Sequence, residues 1–182
     1  YYHIFNRGNN KERIFTDERD YQFFIEKYEE YLDPFLDTFA YCLMPDHFHF
    51  LIKVKDIPEN QTKGYASSCF RKFFQHYAVW FNARHDRTGS VFAKYFKRLI
   101  VDGDEYFKYL VLYIHFNPQK DGLIENFRDY EYNSFKDFFN FNDTFIKREE
   151  VLSWYNGDLM EFIEFHSVLH DIWRIKHLIF ED

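Results

Sequence analysis

Two histidines one residue apart, His47 and His49, lie in the run Met44-Pro45-Asp46-His47-Phe48-His49-Phe50-Leu51-Ile52. In a strand, alternate side chains share a face, so both imidazoles would point one way at a spacing of roughly 7 Å. Phe48 and Phe50 would pack on the other side. Neutral imidazole ligates several divalent metals, and a pair on one face can converge on one cation. The plain alternative is two polar residues on the solvated face of an amphipathic strand. The two cysteines, Cys42 and Cys69, are not placed to close a structural zinc site. A metal held here would therefore keep open positions for substrate.

A second set of residues reads as one face of a helix. Tyr109, Tyr113 and Asn117 follow at i, i+4 and i+8 within a stretch expected to be helical from Asp104 to Asn117. If that face meets the histidine strand, the amide oxygen of Asn117 can act as a third ligand. A phenol would then stand one turn away, a geometry suited to attack on a phosphate. The alternative is a row of core aromatics with their hydroxyls at the rim, and an asparagine that only precedes Pro118. Tyr106 is a further phenol on the same helix, so chemistry alone does not choose among them. Position favours Tyr113, because Tyr109 is another turn away, about 6 Å along the axis.

These residues need elements to hold them. Tyr2 to Phe5 reads as a strand, followed by a turn-rich loop at Asn6-Arg7-Gly8-Asn9-Asn10. Thr16 or Asp17 can cap a helix running to about Leu32, which Asp33-Pro34 ends. Strands are expected at Asp37 to Met44 and His47 to Val54, and a long helix from about Gln61 to Arg84. Val91 to Val101 is strand-like, and Pro118 and Gly122 are expected to end the tyrosine helix at Asn117. Helical patches follow at Val151 to Tyr155 and Leu159 to Leu169. This order predicts an α+β domain with an antiparallel sheet and helices on one face. Residues 1–139 form the expected catalytic domain, and 140–182 a helical acidic extension packed on it.

Composition bounds the rest. The chain has 182 residues, enough for one globular domain with its own core. Hydrophobic residues at 46% and charged residues at 29% exclude a disordered chain. No apolar run reaches the ~18 residues of a membrane helix, and no N-terminal stretch reads as a signal peptide. The low cysteine count points to a reducing, cytoplasmic compartment. The chain opens on Tyr1 rather than Met, so further residues are expected ahead of it.

The net charge of -7 argues against a nucleic-acid partner, but its distribution argues for one. Lys63 to Arg98 holds eight Lys and Arg against one acid, a local charge of +7, whereas Asp121 to Asp182 carries -8. The basic stretch is interleaved with aromatics such as Phe74, Trp80, Tyr95 and Phe96, which suits a surface that tracks phosphates and stacks bases. The alternative is a solvated helix face over an aromatic core stripe.

Taken together, the Met44 to Leu51 run and Tyr113-Ile114-His115-Phe116-Asn117-Pro118 resemble the single-tyrosine HUH transposases. Within them the chain is most similar to the REP-associated tyrosine transposases of the IS200-like group. Tyr2-His3-Ile4-Phe5-Asn6-Arg7-Gly8, Arg87-Thr88-Gly89-Ser90-Val91-Phe92 and Tyr95-Phe96-Lys97 support the resemblance, which covers roughly Tyr2 to Phe139. Asp46 departs from the usual Asn, Gln119-Lys120-Asp121 from the usual Val-Arg-Ala, and the acidic tail is not shared.

The resemblance implies a ferredoxin-like core with the histidines on a central strand. It implies Tyr113 as nucleophile, His47, His49 and Asn117 as ligands of Mg2+ or Mn2+, and single-stranded or hairpin DNA as substrate. Cutting and joining would pass through a 5′-phosphotyrosine. Arg7, Lys11 and Arg13, with Arg71, Lys72, Arg84, Arg87, Lys97 and Arg98 from the basic span, are the expected phosphate contacts. A monomer or homodimer is expected. The competing readings are a domesticated relative that binds hairpin DNA without cutting it, another HUH nuclease, or an unrelated metal phosphoesterase.

Overall fold

The computed structural model describes residues 1–56, 64–102, 104–140 and 144–167. Four strands and five helices follow in the order β1 (Tyr2–Arg7), α1 (Glu18–Tyr31), β2 (Leu36–Met44), β3 (His47–Val54), α2 (Tyr65–Arg84), β4 (Lys97–Ile100), α3 (Asp104–Lys120), α4 (Arg148–Ser153) and α5 (Leu159–Phe165). The sheet order is β2-β3-β1-β4, and every neighbouring pair is antiparallel. A β-α-β-β-α-β run in that order is the ferredoxin-like arrangement expected from the resemblance. Its two innermost strands are β1 and β3, so the histidine strand is central. Among the described residues, no helix is long and apolar enough to cross a membrane.

Local chemistry explains the boundaries. Asp17 caps α1, accepting from the Arg19 amide at 3.0 Å, and Asp20 returns to the cap backbone. Gly8 ends β1 in a tight crossing: its amide donates to the Asp46 carbonyl at 2.7 Å. A Cβ there would lie 1.9 Å from the Glu12 carbonyl oxygen, so only glycine fits. The following chain folds back over the β2–β3 turn, with the amides of Ile14 and Phe15 both donating to the Pro45 carbonyl.

The sheet is covered on both faces, not one. Phe48, Phe50 and Ile52 pack with Phe24 and Tyr28 of α1 and Phe73 and Tyr77 of α2. On the other face Ala40, Cys42, Met44 and Leu51 pack with Phe107, Leu110, Val111 and Ile114 of α3. The reason was in the strands themselves. Both parities of β2 carry apolar residues, and β3 adds Leu51 to one face and Phe48, Phe50 and Ile52 to the other, which a sheet wetted on one side does not need. A bulge between Thr38 and Ala40 shifts the parity of β2, so that Phe39 and Ala40 both join the α3 side. Val151, Tyr155 and Phe162 fill the same core, and Ile146 bridges to Thr38 along the outer edge of β2.

Two further expectations are corrected. The strand-like stretch from Val91 to Val101 pairs as a strand only over Lys97–Ile100, with one isolated bridge from Phe92 to Gly8. Phe92 and Phe96 both turn into the α1–α2 core, and after the Ala93 amide bonds the Arg7 carbonyl at 2.8 Å the chain leaves the ladder until Lys97. The tyrosine helix does not stop at Asn117. Pro118 sits inside it, and the Asp121 amide still donates to the Asn117 carbonyl at 2.9 Å. One missing N–H is tolerable in a last turn, and the helix ends at Gly122, whose φ of 72° is left-handed. The expected starts of α2 at Gln61 and the end of the last helix at Leu169 lie outside the described residues.

Candidate active site

Three elements converge under the sheet on the α3 side. In the β1–β3 ladder, Phe5 pairs with His49 and Arg7 with His47, so all four side chains share a face. The two imidazoles are 5.2 Å apart, centroid to centroid, and set edge to face. α3 crosses this face, and the Tyr113 ring stands edge-on to His49 at 5.6 Å and to His3 at 6.3 Å. Asn117, one turn later, donates its amide N–H to the Tyr113 carbonyl at 2.8 Å. That bond engages the nitrogen and leaves the amide oxygen available as a donor. A cavity of about 630 Å3 opens onto His47, His49, Tyr113 and Asn117.

The two histidines are not equivalent. His47 is partly exposed, and its Nδ1 meets Asp46 Oδ1 at 2.7 Å, which holds the Asp46 carboxyl below its usual range. His49 is only 4% exposed, so it is not a solvated-face residue. Its Nδ1 meets Nε2 of the fully buried His3 at 2.9 Å. Burial, aided by His3 and His47, holds His49 well below the usual histidine range, so it stays a neutral base. If Nδ1 donates to His3, Nε2 carries the lone pair that a ligand needs. Among the described residues, no group hydrogen-bonds that nitrogen.

Two neutral imidazoles and an amide oxygen are a chemically suitable set for a divalent cation. Among the described residues, no three His, Cys, Asp or Glu side chains stand together at ligand spacing. The fit therefore depends on the amide or on a donor that turns inward.

Of the expected phosphate contacts, Arg7, Lys11 and Lys97 line the cavity. Arg84 does not. It pairs with Asp17 at 2.7 Å and with the fully buried Asp20 at 2.9 Å, tying α2 to the start of α1. Arg87 pairs with Glu12. Arg71 and Lys72 are exposed on α2, on the other side of the sheet, and Arg13 and Arg98 are exposed outside the lining. Lys94, Tyr95, Lys120 and Asp121 line the cavity and were not among the expected site residues. Tyr95 is 70% exposed, with Lys94 Nζ over its ring at 5.4 Å. Lys120 Nζ lies over the Tyr113 ring at 5.5 Å. The other phenols of α3 point elsewhere: Tyr109 packs edge-on to Phe165 of α5 at 5.4 Å, and Tyr106 leans on the α3-side core.

Comparison with known proteins bears on the family and the fold. The family model described as "Transposase IS200 like" matches residues 1–117. A curated protein of Haemophilus influenzae named "Putative REP-associated tyrosine transposase" is 29% identical over 104 residues, covering 54% of this chain and 58% of that protein. The match thus spans less than two thirds of that relative's length. A solved REP-associated tyrosine transposase bound to a REP hairpin superposes with a TM-score of 0.59 at 17% identity, covering 76% of this chain and 77% of the other. At that identity the likeness speaks for the fold.

Proposed function

The chain belongs to the IS200-like transposase family, and from that premise we propose that it cuts and rejoins single-stranded or hairpin DNA through a covalent link to Tyr113. One observation carries the reading. The Tyr113 ring stands edge-on to His49, over a cavity that His47 and Asn117 also line. The REP hairpin in the solved relative supports hairpin DNA as the substrate class.

Arg7, Lys11 and Lys97 hold phosphates at the cavity rim. Tyr95 offers a ring to a neighbouring base, and Lys94 keeps that end of the cavity positive. The Tyr113 oxygen attacks phosphorus in line as the bond to the 3′ oxygen of the preceding nucleotide breaks. The phenolic proton is lost, and the departing 3′ oxygen gains one. A phenol has a pKa near 10, so attack needs a nearby positive charge, and Lys120 over the ring contributes one. His47, His49 and Asn117 would hold Mg2+ or Mn2+. When bound, that ion withdraws charge from a non-bridging oxygen of the scissile phosphate. The ester to Tyr113 keeps the phosphodiester energy, so a second 3′-hydroxyl can reverse the step without ATP.

Tyr113→Phe removes one oxygen and keeps the ring contacts. DNA binding and melting temperature should survive, and the covalent adduct should vanish. Mass spectrometry of protein trapped on a suicide hairpin oligonucleotide reads this directly. Nucleotide found on Tyr109, or an adduct still formed by the variant, overturns the assignment. Hairpin binding with no adduct in the unaltered chain would favour the non-cutting relative.

A further inference from the structure

The face of α3 that carries Tyr113 and Asn117 does not end there. The helix runs through Pro118, so Asp121 follows Asn117 at i+4 on the same side, with its amide on the Asn117 carbonyl at 2.9 Å. Its carboxylate lies at the cavity rim, 3.8 Å from Nε2 of His47. Among the described residues, His47 is its only ion-pair partner, and its side-chain oxygens make no hydrogen bond. The family match stops at Asn117, just short of it. In the sequence it stood out only as a departure from the resembled pattern.

We infer that Asp121 is a fourth protein donor to the cation site, a carboxylate oxygen added to the two imidazoles and the Asn117 amide. This rests on the metal reading proposed above. Three features lead to it. The carboxylate approaches the nitrogen of His47 that faces away from Asp46, because Asp46 occupies Nδ1. A cation at that nitrogen would lie between His47 and Asp121, where the carboxylate gains most. The side chain is 38% exposed, so it can turn inward without breaking a hydrogen bond among the described residues. Such a turn is needed, because the three acidic and imidazole groups do not yet stand at ligand spacing.

The chemistry has a direction. Two imidazoles and an amide form a neutral donor set that does not favour hard ions over zinc. A carboxylate adds a hard, charged oxygen, which shifts the site toward Mg2+ and Mn2+. It also offsets one positive charge beside the incoming phosphate. The site would then bind its ion more tightly before DNA arrives.

The test is Mn2+ binding to the metal-stripped full chain, followed by calorimetry and by the EPR signal of free Mn2+. Asp121→Asn keeps size and removes charge. It should weaken Mn2+ binding by about tenfold or more, with a smaller change for Zn2+. Melting in EDTA should stay unchanged, since no internal hydrogen bond is lost. Asp121→Glu should recover part of the Mn2+ affinity. Equal or tighter Mn2+ binding by Asp121→Asn overturns the inference while leaving the histidine site intact. If His47→Ala does not weaken Mn2+ binding either, the metal reading fails, and this inference fails with it.

Discussion

Two buried histidine pairs flank α3, and only one of them has a vacancy for chemistry. On the sheet side, His3 and His49 share one hydrogen bond at 2.9 Å, and His49, whose far nitrogen has no hydrogen-bond partner among the described residues, lines the cavity. On the opposite side of the helix, His115 Nδ1 meets His166 Nε2 at 3.1 Å. There the remaining nitrogens are also spent: His115 Nε2 on Ser134 Oγ at 2.8 Å, and His166 Nδ1 on the Phe162 carbonyl at 2.8 Å. Both pairs are buried, and burial pushes His49 and His115 well below the usual range. Burial and a perturbed basicity therefore do not mark an active site by themselves. An unspent nitrogen over an open cavity does. The sealed pair instead ties α5 and the Ser134 turn to the helix that carries Tyr113.

Substitution in each pair separates the two roles most sharply. His47→Ala, beside the open pair, should lower cleavage of a hairpin substrate by orders of magnitude. Its stability cost should stay under about 1 kcal/mol, since the side chain is partly exposed and its partner Asp46 can reach water. His115→Leu should do the reverse. It removes the partner that Ser134 Oγ and His166 Nε2 share in the core, at a cost of about 2–3 kcal/mol. Cleavage per folded molecule should barely change. Urea melts alongside single-turnover cleavage give both numbers. A His115→Leu variant of normal stability with no activity would move the sealed pair into the machinery.

The sealed side also sets what the C-terminal segment is for. Ile146, Val151, Tyr155 and Phe162 are all at most 4% exposed in the α3-side core. Each fully buried apolar side chain is worth roughly 1.5–3 kcal/mol. Four such losses rival the ~5–15 kcal/mol that holds a whole domain together. Truncation after Phe139 should therefore aggregate rather than give a soluble, tighter DNA binder. Light scattering of the purified fragment decides it, and a monodisperse fragment with cooperative melting would reassign the segment as an accessory cover.

Much of the open pair was legible because it is local. Strand parity alone put His47 and His49 on one face, helical spacing aligned Tyr113 with Asn117, and Thr16 or Asp17 marked the start of α1. The missing pieces are contacts across the chain. His3 meets His49 across 46 residues, and nothing in either strand's periodicity fixes their register. Arg84 and Arg87 read as phosphate contacts from charge alone, yet distant carboxylates hold them. Asp121 and Lys120 were hidden by the rule that proline ends a helix. Two signals were available: the apolar residues on both faces of β2, and a lone histidine within the apolar strand β1.

Acid should distinguish the wild-type chain from one whose sealed pair is removed, and this is the smallest of the expected effects. Burial, and then His166, holds His115 below its unfolded pKa of about 6.5. Above that pH neither folded nor unfolded chain binds the proton, so the pair's full contribution is present. As pH falls below it, the unfolded chain takes the proton and the folded one does not. Stability should then fall by up to about 1.4 kcal/mol per pH unit for each such histidine, and His49 adds to the same slope. Two carboxyls oppose it, Glu29 and Asp137, both raised by burial. Burial pushes the Asp137 carboxyl up to about 6, so between there and its unfolded pKa near 4 the folded chain binds a proton the unfolded chain lacks. Urea midpoints from pH 8 to pH 4 should thus fall in the wild type, fall less steeply in His115→Leu, and fall more steeply below pH 6 in Asp137→Asn. A wild-type midpoint that rises between pH 7 and pH 6 would mean that the sealed pair shares a proton in the folded state. The two pairs would then differ in charge as well as in access to the cavity.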